Sequence, residues 1–194
     1  MNPWIGLITY FAAVGVSVAI RAPHDARSRG VRIELDRKGK LEIALLVLMG
    51  LGVLVLPVLF AATNVLSFAD YPLTPVAFGA GIAFTVLWLW LFHRSHADLG
   101  TNWSVSLQVR ENHVLVTSGV YRHLRHPMYA AIFAESFAQA LLLANWIAGP
   151  ATLVAFTLMF TCRLRIEEGL MRARFGETWD AYARTTRRLI PRIW

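Results

Sequence analysis

Four apolar runs, each long enough to matter to a lipid bilayer, govern what this chain can fold into. Pro3–Ile20 carries no charge before Arg21, and Leu41–Ala62 carries only Glu42 at its edge, with Pro57 as an expected kink. Pro75–Phe92 is the third, and Met128–Cys162 is longer than one crossing needs. A helix spans the hydrocarbon core with about 20 apolar residues, so each of the first three reads as one span. The fourth run is punctuated by Asn145-Trp146 and Gly149-Pro150. It reads as a tight hairpin of two short helices, 128–143 and 146–162, because one straight helix would overshoot the bilayer. With 56% hydrophobic and 16% charged side chains among 194 residues, the chain is too apolar for an ordinary soluble domain. The expectation is an all-α polytopic membrane protein with five transmembrane helices, the last two a tight hairpin.

The basic residues test that count. Seven of the 19 Lys and Arg lie in 21–40, four in 93–127 and eight in 163–194, while the connections at 63–74 and 144–146 hold none. Under the positive-inside rule this alternation puts the N-terminus outside and the C-terminus in the cytosol. It also accounts for the net charge of +7 through contact with anionic lipid headgroups, without a nucleic-acid partner. The tryptophans mostly fall near span ends, as interfacial aromatics do. Cys162 is the lone cysteine, which excludes an internal disulfide. No cleavable signal peptide is expected, because Met1–Trp4 lacks a basic segment.

Residues 1–92 read as a three-span scaffold in which Gly50, Gly52, Gly79 and Gly81 allow helices to approach closely. The first basic loop, 21–40, reads as solvated. From His93 polar and ionisable residues enter apolar surroundings, which marks 93–194 as the catalytic region of one integrated domain. Ser104–Val109 and Val114–Thr117 flank Arg110–Asn112 as a small hairpin or an extended loop. The last apolar helix should continue to Arg174 and stop at Phe175-Gly176. Thr178–Arg188 suggests an amphipathic surface helix.

Two clusters carry possible chemistry. In RHPMY, Pro127 suits the first turn of a helix, leaving Arg125 and His126 at the water side and the three other N–H groups of that turn for a polar ligand. Arg163, Arg165, Glu167 and Glu168 lie where the hairpin should return to the same mouth, with Arg163 and Glu167 on one helical face. Each cluster alone is equally a membrane-surface collar; together they offer a cation and an anion at one site. Glu135 and Gln139, four apart inside a span, read either as functional groups or as a hydrogen bond between helices. His93 and His96 form an HxxH without a third ligand at helical spacing, so no metal is expected. P-loop, GxGxxG, GxSxG and HExxH patterns are absent.

The ordered set HVLVTSGVYRHLRHPMY, a hydrophobic hairpin and EEGLMRARFGETWDAY resembles the isoprenylcysteine carboxyl methyltransferase family, whose signature is RHPxYxG followed by EExxL. The resemblance spans about residues 98–191. It implies an integral membrane enzyme that moves a methyl group from S-adenosylmethionine to the carboxylate of a lipophilic substrate such as a C-terminal prenylated cysteine. It implies a cofactor pocket enclosed by a cytosolic connection and the helical tail, with contacts from Gln108, His113, Val114, Leu115, Val116, Tyr121, His126, Pro127, Met128, Tyr129 and Glu167. Arg163 would bind the substrate carboxylate. Ala131 stands where the family has glycine, and Glu135 lies outside the family pattern, which makes Glu135 a candidate for acceptor binding. A phospholipid or small lipophilic amine methyltransferase and a non-catalytic lipid-binding membrane protein are the alternatives.

Overall fold

The structure, a computed structural model, describes residues 1–29, 33–36, 39–100, 108–110 and 114–191; at 28–29, 33–36 and 108–110 only the backbone is described. Seven helices account for most of it: α1 (Pro3–Arg29), α2 (Lys40–Gly50), α3 (Leu56–Ala62), α4 (Pro75–Leu99), α5 (Pro127–Leu142), α6 (Ala151–Phe175) and α7 (Glu177–Thr185). Three stretches, Pro3–Arg27, Lys40–Ala62 and Pro75–Leu99, are long and apolar enough to cross a membrane, as befits an integral membrane protein. The first helix does not stop at Ile20. It runs on to Arg29 and so places Arg21 on a helix rather than in a loop.

The expected kink at Pro57 takes the form of a π turn over Leu51–Val55 that joins α2 to α3. Pro57 has no N–H, so neither Val53, four residues earlier, nor Gly52, five earlier, can be served by it. The N–H of Leu56 goes to Leu51. Other helices supply the missing donors. Tyr10 Oη of α1 donates to the Val53 carbonyl at 2.7 Å, and Gln139 Nε2 of α5 donates to the Gly52 carbonyl at 3.0 Å. Gln139 also donates to the Ala148 carbonyl at 2.7 Å and accepts from Thr152 Oγ1 at 2.6 Å, and its Oε1 lies 2.8 Å from Tyr10 Oη, whose single proton is shared between this oxygen and the Val53 carbonyl. One fully buried amide therefore joins four segments of the chain.

Asn145 builds the reversal between α5 and α6. Its Oδ1 accepts the N–H groups of Ile147 and Ala148, both at 2.9 Å, while its Nδ2 reaches the Leu66 carbonyl at 2.8 Å and Asp70 Oδ1 at 2.7 Å. Residues 146–150 belong to this turn, so α6 begins at Ala151, later than the expected 146. Against α4, the helix α5 presents Ala131 and Ala134 to Trp88, Leu91 and Phe92. Ala131 is thus accommodated in a close helix contact. Of the small residues expected to permit such contacts, Gly52 and Gly81 do: a Cβ would stand 3.1 Å from the Thr152 backbone or 2.7 Å from Leu142. Gly50 and Gly79 have nothing within 4 Å.

The segment before the RHPMY motif differs from the expected hairpin. Strand β2 (Gln108–Arg110) pairs antiparallel with β1 (Ile33–Asp36) of the first basic connection, not with 114–117. Further on, Gly119 at φ 59° starts a short 3-10 turn beside Asp98, whose carboxylate accepts the Val120 N–H at 2.8 Å. A Cβ at Gly119 would collide with that carboxylate. The tail follows expectation, with α6 ending at Gly176 and α7 covering most of the predicted surface helix.

Replacing Gln139 with Leu keeps the volume but strands the Gly52 and Ala148 carbonyls and the Thr152 hydroxyl. Two or more unmatched buried groups should cost roughly 2 kcal/mol or more, seen as a lowered thermal-unfolding midpoint in detergent. An unchanged midpoint would show that these bonds do not hold the bundle.

Candidate functional site

At the Arg- and Lys-rich end, the start of α5 and the far half of α6 converge. Helix α5 opens with Pro127 at its first position and His126 as its cap. The first regular helical bond is Ala130 N–H to the His126 carbonyl at 3.1 Å. The amides of Met128 and Tyr129, two rather than the expected three, are therefore left unpartnered among the described residues.

Adjacent glutamates of α6 divide their partners. Glu167 accepts from Tyr129 Oη at 2.5 Å and lies 3.7 Å from His126 Nδ1 and 4.0 Å from Arg163 Nε. Glu168 instead clamps the tail: it lies 3.2 Å from Arg125 Nη2, 3.4 Å from His126 Nε2 and 2.9 Å from Arg188 Nη2. Backbone bonds complete the clamp, from Arg125 N–H to the Arg187 carbonyl at 2.7 Å and from His126 N–H to the Arg188 carbonyl at 3.0 Å. Arg125 Nη1 also donates to the carbonyls of Ala183 and Thr186, and Tyr182 Oη to that of Tyr121 at 2.6 Å.

Burial by itself would raise the Glu168 carboxyl. Hydrogen bonds from His126 and Arg188 and the Arg125 charge outweigh it and bring its pKa down to about 2. Burial pushes the Tyr121 and Tyr182 phenols above their ordinary value.

Arg163 is buried, and one of its partners is a residue that sequence reasoning missed. Nη2 meets Glu42 Oε1 of α2 at 3.0 Å, closer than the helical neighbour Glu167. The available signal was a lone carboxylate at the edge of an apolar run. Tyr129 is fixed from the other side by a ring stack with His126, 5.3 Å between centroids, and by edge contacts with Phe156 and Phe160 at 5.6 Å.

These groups surround a cavity of about 510 Å³, within the roughly 300–1,000 Å³ of small-molecule sites. Val114, Leu115, Val116, Tyr121, His126 and Pro127 line it, and so do Met128, Tyr129, Glu135, Arg163 and Glu167. Gln108 lies on β2 with only its backbone described, and His113 lies outside the described residues. The tail adds Trp179 and Tyr182, and the supposed scaffold adds Arg21, Leu46 and Trp88. His93 and His96 take no part. His96 is fully buried with Nδ1 2.8 Å from the Phe92 carbonyl, and no cluster of three metal-ligating side chains occurs among the described residues.

Residues 81–173 match the isoprenylcysteine carboxyl methyltransferase family. A protein-S-isoprenylcysteine O-methyltransferase of Tribolium castaneum is 34% identical over 96 residues, covering 48% of this chain and 34% of that protein. Its counterpart in Schizosaccharomyces pombe is 26% identical over 116 residues, 59% of this chain and 49% of that protein. The matched segments thus span half or less of these curated relatives. A solved structure of a eukaryotic intramembrane Ras methyltransferase superposes with a TM-score of 0.49 at 27% identity, covering 78% of this chain and 50% of that one.

The clamp is pH-sensitive in a definite direction. Because the folded Glu168 carboxyl is held down to about 2, below its ordinary 4.5, its contribution is complete above pH 4.5 and is lost as pH falls toward 2. Hydrogen-exchange protection of α7 should weaken across that window in the wild type. In Glu168→Gln the protection should be low throughout and lack this acid step.

Proposed function

We propose that this chain, related through residues 81–173 to the isoprenylcysteine carboxyl methyltransferase family, transfers a methyl group from S-adenosylmethionine to the carboxylate of a lipophilic acid. The relatives' names point to a prenylated cysteine as the acceptor class. One observation carries the reading: His126 and Tyr129 of one motif and Arg163 and Glu167 of the other line a single cavity, although some forty residues separate them.

The cavity suits the cofactor chemically. Unpartnered amides of Met128 and Tyr129 at a helix start favour a carboxylate, Glu167 offsets a positive charge, and Val114–Val116 with Trp179 offer apolar contact to a flat ring. When bound, S-adenosylmethionine supplies a methyl carbon whose bond to a sulfonium sulfur breaks as the bond to the acceptor oxygen forms. The acceptor carboxylate is already ionised, so the protein need not remove a proton. Its residues align and dry the site. Arg163 holds the carboxylate with a planar set of donors, Glu42 fixes the Arg163 side chain, and Trp179 and Tyr182 close the water side.

In this reading α5 and α6 complete five crossings. The N-terminus lies outside, and the site and tail face the cytosol where the arginines gather. The carboxylate already beside Arg163 also favours a second reading, an amine or phospholipid acceptor.

Cofactor affinity in detergent tests the first half: Glu167→Gln and His126→Ala should each weaken binding about tenfold or more, and a wild type that binds no cofactor overturns the proposal. For the acceptor, Arg163→Ala is best combined with Glu42→Gln, since a lone buried carboxylate would itself destabilise the protein. The double variant should keep cofactor binding and lose carboxylate methylation. Retained methylation favours the amine reading.

A further inference from the structure

Gln139 and Glu135 stand one turn apart on α5, yet their surroundings differ. Gln139 is matched by the Gly52 and Ala148 carbonyls and the Thr152 hydroxyl, with Tyr10 Oη 2.8 Å from its oxygen. Glu135 is 8% exposed and lines the cavity, and no hydrogen bond or ion pair reaches its carboxylate from the described residues. Its charge is felt by Arg21 of α1, whose guanidinium lies 5.4 Å over the Phe92 ring. On α4, Trp88 lines the same cavity at 1% exposure, and its indole N–H has no acceptor among the described residues. Two helices, α4 and α5, thus bring an unmatched donor and an unmatched acceptor to a cavity also walled by side chains such as Val14, Val53 and Ile132.

Leaving such groups unmatched in a low-dielectric interior costs on the order of 1–3 kcal/mol each, and polar groups at membrane depth mark ligand sites by default. A neutral group that donates to Glu135 and accepts from Trp88 Nε1 satisfies both without upsetting the charge balance with Arg21. Glu135 lies six residues beyond Tyr129, about 9 Å further along the helix axis and so away from the motif residues at the start of α5. We infer that the acceptor carries a hydroxyl or amide group in its lipophilic part, away from the reacting carboxylate, and that Glu135 and Trp88 select for it over a plain hydrocarbon tail. This rests on the acceptor reading above and sharpens it to a polar-substituted lipophilic acid.

The full chain in detergent is compared with palmitic acid and its mid-chain hydroxy derivative, by thermal shift without cofactor and by transfer from labelled S-adenosylmethionine. The hydroxy acid should act at about tenfold lower concentration or less, since sites built to bind a hydroxyl reject the analogue lacking it. Glu135→Leu should bring the two acids to near equality. So should Trp88→Phe, which keeps the packed ring and removes only the donor. Equal behaviour of the acids on the wild type, or a preference unchanged in both variants, overturns the inference. Preferential binding without transfer to either acid would refute the proposed reaction and uphold this tail-side site; equal transfer to both would uphold the reaction and refute the site.

Discussion

A backbone carbonyl without a donor is hardly tolerated inside a bilayer, and Pro57 creates that problem in the middle of a span. The solution ties the molecule together. Tyr10 and Gln139 reach in from α1 and α5 to the Val53 and Gly52 carbonyls, and Gln139 extends the same network to the start of α6 through Thr152 and Ala148. With α2 and α3 pinned in this way, Glu42 at the other end of α2 has a defined position, and it is there that Arg163 finds its partner. The geometry of the charged mouth therefore follows from a proline more than two helical turns away.

At that mouth, two neighbouring carboxylates do different work because successive residues of a helix point about 100° apart. Glu167 faces the cavity with Tyr129 and His126. Glu168 turns outward to Arg125, Arg188 and the His126 ring and holds the tail against α5. The same two-residue unit thus contributes one side chain to binding and one to closure, and the aromatic contacts of Tyr129 with Phe156 and Phe160 keep the first in register with the second.

Much of this was legible in the residues. Apolar length marked the helices, Asn145 and Gly149-Pro150 marked the reversal, Phe175-Gly176 marked a helix end, and the reversal implied that RHPMY and RLRIEE would meet. What escaped was set by tertiary partners. Glu42 looks like the end marker of an apolar run until Arg163 is seen beside it. Nothing in Gln108–Arg110 says that its partner is Ile33–Asp36, over seventy residues away. The extension of α1 past Arg21 was hidden because a basic stretch reads as a loop. With it was hidden the contribution of the first three spans to the cavity wall through Arg21, Leu46 and Trp88. Periodicity separates apolar from polar faces, but it does not distinguish a matched amide such as Gln139 from an unmatched carboxylate such as Glu135.

The seam between residues 125–126 and 187–188 bears on how the protein is made. Of the residues that line the cavity, Trp179 and Tyr182 come last in the chain, so its wall is incomplete until the tail has been synthesised and has docked. A premature stop before Tyr182 would leave all three candidate spans in place and the cavity without that part of its wall. Quality control that senses only membrane insertion would pass such a product.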